Sequence, residues 1–268
     1  LVSLIAVVVA VAGMLISIVL ALRPPKSGGL IDVGRVIPSA LGEIRKNAGS
    51  FVLMALVLAG IPAFLVAYAS YDPASGAADY GEVAFWIRGL PGTLIGYLLQ
   101  AATIAMTVSS LSGEPAGLRP SLLLGLRRIL PILAATILSY LAIVVGLVFL
   151  LVPGLILFTI WILIVPVIVE EQAGVFGSFR RSAELTAGSR WRVFALLAIV
   201  FAIQIGVWEA AEFIASFAGD GGVAAALAAA FSAGFSAILL ATVLASLYVE
   251  ARNVKEGRGV SGLESIFQ

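Results

Sequence analysis

The sequence contains no histidine and no cysteine, and it is poor in charge. Only 12% of its 268 residues are Asp, Glu, Lys or Arg, about half the share usual in a soluble globular chain. Without His, Ser-His-Asp and Cys-His nucleophile systems and imidazole proton shuttles are excluded. Without His and Cys together, zinc, haem and iron–sulfur groups lose their ordinary ligands, so no cofactor is expected. Disulfides are impossible, so cysteine usage carries no information on redox compartment. A formal net charge of +1 with no basic tail argues against nucleic-acid binding. What the chain does have is apolar residues: 61% of the total, with a mean hydropathy of +1.13. That composition leaves a polytopic membrane protein.

A bilayer core of ~30 Å needs roughly 20 apolar residues in a helix. Seven stretches qualify: Leu1–Leu22, Ser50–Ser70, Thr93–Ser112, Ile129–Val152, Leu155–Val169, Val193–Phe217 and Val223–Val249. Pro153-Gly154 reads as a tight hairpin, with Gly in the left-handed conformation that stops the preceding helix. Sorting the basic residues by side places fifteen of the sixteen Lys and Arg on one face, leaving only Arg88 opposite. This is the positive-inside pattern, and it predicts an external amino end and a cytoplasmic carboxyl end. The near-neutral total conceals a cytoplasmic +6 and an external −5.

The expected fold is all-α: a polytopic transmembrane bundle with a six-helix body of three hairpins over residues 31–257. An N-terminal transmembrane helix over 1–22, a linker over 23–30 and a cytoplasmic tail over 258–268 complete it. Each cytoplasmic stretch before a hairpin carries an amphipathic pattern suited to an interfacial helix. In the first, Val36, Ile37, Ala40, Leu41 and Ile44 share a face. In the second the face is Leu118, Leu122, Leu126 and Ile129, and in the third it is Val175, Phe176, Phe179, Ala183 and Thr186. The last span is crowded with Ala, Ser and Gly, which predicts a central, closely packed helix. Basic residues beside such helices favour anionic lipid on the cytoplasmic face.

Two groups of polar residues stand out. Gln100, Gln204, Glu209 and Glu212 lie within or near apolar spans, where a polar or ionisable side chain is expensive and marks a candidate intramembrane polar site. Interhelical hydrogen bonding or an interfacial position explains the same residues without a ligand. The second group is Glu170, Arg180, Arg181, Arg190, Arg192, Glu250 and Arg252, which flank the short fifth span and close the last one. Here the physical reading is a cytoplasmic clamp, with Glu170 paired to Arg181 or Arg190 and Glu250 or Glu256 to another of the arginines. The alternative is contact with lipid headgroups or a phosphorylated ligand.

Around that second group the sequence runs from Pro153-Gly154 through Glu170, Arg181-Ser182, Leu185-Thr186 and Gly188 to Arg190-Trp191-Arg192. It closes with Tyr248, Glu250, Arg252 and Glu256-Gly257. These stretches resemble the membrane domain of glycerophosphoryl diester phosphodiesterase-like proteins and its stand-alone six-helix relatives in bacteria. The resemblance spans about residues 31–257, with its specific motifs in the second half. It implies a bacterial inner-membrane protein, an origin that thirteen Arg against three Lys also suits. In that group the phosphodiesterase activity belongs to a separate soluble barrel that uses His, so catalysis is not implied here. The expectation is a non-catalytic membrane protein acting as a scaffold, as an accessory subunit beside other membrane subunits, or as a lipid-contacting organiser. The alternative is a transporter or lipid-handling protein with a polar path through the bundle.

Overall fold

The computed structural model describes residues 30–72, 77–78, 90–115, 117–149, 151–218 and 221–257. The expected helix over 1–22, almost all of the linker, the tail over 258–268 and Arg88 lie outside the described residues. Within them the chain is a helical bundle with six helices long and apolar enough to cross a membrane: Ala48–Ala69, Pro91–Leu111, Leu118–Leu147, Val152–Glu171, Arg190–Ala215 and Gly222–Glu256. They support a multi-pass membrane protein and coincide with the six-helix body read from hydropathy. Many large apolar side chains point out of the bundle, among them Leu130, Tyr140 and Ile214. Water would penalise that arrangement, whereas lipid tails solvate it.

α1 (Val33–Lys46) precedes the first hairpin. Asp32 caps it by accepting a hydrogen bond from the Gly34 N–H at 2.9 Å, which satisfies one orphan donor of the first turn. Its buried face is Val33, Val36 and Ala40, while Leu41 is left exposed. The first span is α2 (Ala48–Ala55), a π-helical turn Leu56–Gly60, and α3 (Ile61–Ala69). Pro62 explains the widened turn: it has no N–H to donate, and its ring crowds the carbonyls one turn back. Beyond α3, Tyr71–Asp72 (β1) and Ala77–Ala78 (β2) form a two-residue antiparallel ladder.

α4 (Leu90–Leu111) completes the first hairpin, and α5 (Leu118–Phe149) forms the second with α6 (Leu151–Trp161) and α7 (Ile164–Glu171). The second amphipathic stretch is no separate interfacial helix. It runs unbroken into α5, because nothing between Leu118 and Phe149 stops the helix and Pro131 is absorbed within it. Leu126 consequently points outward, 57% exposed.

Pro153-Gly154 also differs from expectation. Both residues lie in the first turn of α6, where a missing proline N–H costs nothing, and Gly154 is not left-handed. The glycine is needed for proximity instead. A Cβ on Gly154 would sit 2.8 Å from the Leu147 backbone nitrogen, and one on Gly146 would sit 3.1 Å from Gly154. Helices α5 and α6 therefore cross backbone to backbone at this pair.

α8 (Gly174–Thr186) is the third cytoplasmic-type helix, and α9 (Arg190–Ala215) and α10 (Gly221–Glu256) complete the bundle. α8 buries Ser178, Ser182, Leu185 and Thr186, whereas Phe176 is 80% exposed, so its seated face is rotated from the apolar stripe. α10 is the central helix, packed against α1, α2, α3, α4 and α9. Its small residues permit this: Gly60 lies against the Ala230 carbonyl and Gly234 against Ala55. The core that results joins Ile104, Ile132, Val167, Leu196, Leu244 and Tyr248.

Candidate functional site

Two polar constellations occupy opposite ends of the bundle. The first is built where α7, α8 and the end of α10 meet. α7 ends at Glu171, and Gln172 adopts a left-handed conformation that turns the chain into α8. Arg181, on the second turn of α8, donates from Nε to both carboxylate oxygens of Glu171, at 2.8 and 3.0 Å. From Nη2 it donates to Glu256 Oε1 at 2.5 Å, while Arg252 Nε donates to Glu256 Oε2 at 3.0 Å. Tyr248, fully buried, donates its hydroxyl to Glu171 Oε1 at 3.0 Å. Tyr248, Arg252 and Glu256 are four residues apart along α10, so one helix face presents all three. The hydrogen bond to Glu171, reinforced by Glu256, holds the Arg181 guanidinium above the usual arginine range.

The clamp expected from the sequence is thus made by partly different residues. Glu171 fills the position expected of Glu170, which makes no ion pair among the described residues. Neighbouring residues on a helix point about 100° apart, and α7 turns the second glutamate of the pair toward α8 and α10. Arg180 pairs within its own helix, with Glu184 at 2.9 Å, and remains exposed. Arg192 donates from Nη1 to the Ile31 carbonyl at 3.2 Å, and Glu250 accepts from the Asp32 N–H at 3.4 Å. Those two residues fasten the entry to α1 rather than one another. Arg190 is exposed and makes no ion pair among the described residues.

The contacts of three side chains had no signal in the sequence beyond residue type. Ser182 accepts from the Leu163 N–H at 3.2 Å and donates to the Ile160 carbonyl at 2.7 Å. Those two backbone groups are freed by the break between α6 and α7, and one hydroxyl satisfies both. Ser189 accepts from the Ile31 N–H at 3.1 Å, and Lys255 donates to the Ala187 carbonyl at 2.8 Å. Together they tie the ends of α8 and α10 and the start of α1 into one layer.

The second constellation is a cavity of about 520 Å³ between α3, α9 and α10, toward the opposite end. Gln204, Ile205, Trp208 and Glu212 line it from one face of α9, and Ser232 and Ser236 from α10. Gln204 Nε2 and Ser232 Oγ are buried without a hydrogen-bond partner among the described residues. At 1.5 Å per residue, Gln204 lies ~21 Å and Glu212 ~33 Å along α9 from Arg190, so the cavity runs from the far interface into the apolar layer. Of the four residues expected at an intramembrane polar site, Gln204 and Glu212 come together here. Glu209 is exposed and is not part of the lining, and Gln100 lies on α4, outside the lining as well. Among the described residues no cluster of His, Cys, Asp or Glu could hold a metal ion.

Comparisons with protein-family models, with curated proteins and with solved structures find no match to this chain.

Proposed function

We propose that this chain is a non-catalytic integral membrane protein of a bacterial inner membrane. It serves as a lipid-contacting scaffold or accessory subunit, with its carboxyl end cytoplasmic. The observation that carries the reading is the clamp of Glu171, Arg181, Arg252, Glu256 and Tyr248. Its charges are directed at one another across three helices, which is the arrangement of a structural fastening. The exposed Arg180, Arg190 and Trp191 beside it form the belt of basic and amphipathic side chains that suits an anionic leaflet.

Charge reversal tests the clamp. Arg181→Glu and Glu171→Arg should each lower thermal stability in detergent, by about 1.5–3 kcal/mol if the charged hydrogen bonds dominate. The double change should recover part of the loss, and absence of recovery would count against direct pairing. Purification in mild detergent, with identification of retained proteins and lipids, tests the role. A chain that runs alone and lipid-free removes the accessory and lipid-contacting readings.

The cavity at Gln204 and Glu212 favours a second reading, a transporter or lipid-handling protein with a polar path into the bundle. Supporting it are two buried polar atoms that the described groups leave unsatisfied, at a depth where that is expensive.

A further inference from the structure

The α3/α9/α10 cavity has a chemistry more specific than polarity. Glu212 is the sole ionisable group in its lining, and it forms no ion pair among the described residues. Every described Lys and Arg belongs to the other end of the bundle: α1, the start of α5, α8, the start of α9 or the end of α10. Around the cavity mouth, by contrast, the described charges on α9 are Glu209 and Glu212. Among the described residues the charge at this end is therefore negative, and low-dielectric walls concentrate its field. Trp208 lies one helical turn from Glu212 on the same face and offers an aromatic surface to a cation.

Deeper in, the groups change character. Ser232 is only 6% exposed, lines the cavity and leaves its Oγ unpartnered. Gln204 Nε2 is likewise unpartnered, and an amide N–H₂ can only donate. The inner end therefore asks for a hydrogen-bond acceptor and the outer end for a cation. Apart from Ser236, the remaining lining is apolar, with Ala63, Ile205, Ala229 and Ala233 contributing from three helices.

We infer that this cavity binds an amphiphile bearing a protonated amine. The ammonium sits against Glu212 and Trp208, the acceptors meet Gln204 and Ser232, and the apolar part follows the alanine wall. The inference rests on the second reading above and names the ligand class for it.

The test uses the full chain in dodecyl maltoside, titrated with dodecylammonium, dodecanoate and dodecanol, three probes of equal chain length and different charge. Calorimetry and tryptophan emission report binding. Dodecylammonium should bind saturably and at least about tenfold more tightly than either other probe. Glu212→Gln should weaken it about 10- to 100-fold, the range of a charged hydrogen bond. Glu209→Gln, which leaves the lining intact and removes only part of the surrounding negative charge, should weaken it less than Glu212→Gln does. Trp208→Phe should remove the emission change while the calorimetric signal persists. Ala229→Leu, which fills the cavity and removes no polar group, should abolish binding and guards against a Glu212 variant that fails to fold. Equal binding of dodecanoate or dodecanol, or no effect of Glu212→Gln, would overturn the amine assignment while leaving a ligand cavity. Absence of saturable binding by all three probes would overturn that assignment and the cavity reading together.

Discussion

Ser182 shows how much one hydroxyl can decide. The span made of α6 and α7 is interrupted between Trp161 and Ile164, which frees the Ile160 carbonyl and the Leu163 N–H inside an apolar environment. Ser182 satisfies both from the neighbouring α8, and Thr186 approaches the same carbonyl at 3.4 Å. Ser182→Ala would leave the buried Leu163 N–H unpaired, at about 1–3 kcal/mol, and the Ile160 carbonyl with only the long Thr186 bond. We expect a lowered melting temperature in detergent and faster amide exchange at Leu163, whereas Ser178→Ala, which removes only a local bond to Val175, should change Leu163 little. The Glu171–Arg181 pair belongs to the same scale. Two adjacent glutamates are equivalent in the sequence, and only the direction in which α7 presents them selects the second.

Helices and their crossings set the next scale. Hydropathy locates the six spans well because each needs about twenty apolar residues whatever it packs against. The amphipathic segments are less legible. α1 and α8 are separate helices because Asn47 and the left-handed Gly188 (φ 81°) end them. The stretch before α5 has no such stop and joins the span. α8 seats itself through Ser178, Ser182 and Leu185, so hydrogen bonding outweighs the apolar stripe that includes Phe176. At the α5/α6 crossing, Gly146 and Gly154 allow contact that a side chain would block. Gly154→Val should separate the two helices and destabilise the bundle by about 1–3 kcal/mol, the usual range for overpacking. The measurement is thermal unfolding in detergent, with Gly206→Val as the control, since nothing lies within 4 Å of a Cβ placed there.

At the scale of the whole molecule, the bundle is polarised. One end carries every described Lys and Arg and the hydrogen-bonded clamp; the other carries Glu209, Glu212 and the cavity. The absence of cysteine makes the orientation directly measurable, because single introduced thiols have no background. We expect Arg127→Cys and Lys255→Cys to react with an impermeant maleimide only from the cytoplasmic side, and Glu209→Cys only from outside. Labelling of all three from one side would overturn the topology. The same polarisation separates the two functional readings, since scaffold contacts and lipid headgroups concern the basic end and a ligand path concerns the acidic one.

The sequence by itself determined the membrane-spanning class, the number and place of the six spans in the body, and the asymmetry of charge. These follow from composition along the chain, since lipid demands apolar length and self-satisfied backbone whatever the tertiary arrangement. It also marked Gln204 and Glu212 as costly residues, because depth can be counted along one helix. Only the tertiary structure decided which polar groups meet. Glu171 rather than Glu170 took the clamp, Glu250 turned to the backbone of Asp32, and Gln100 and Glu209 stayed away from the cavity. Those outcomes depend on the rotation and crossing of helices far apart in the chain, where a turn of one residue swings a side chain by about 100°.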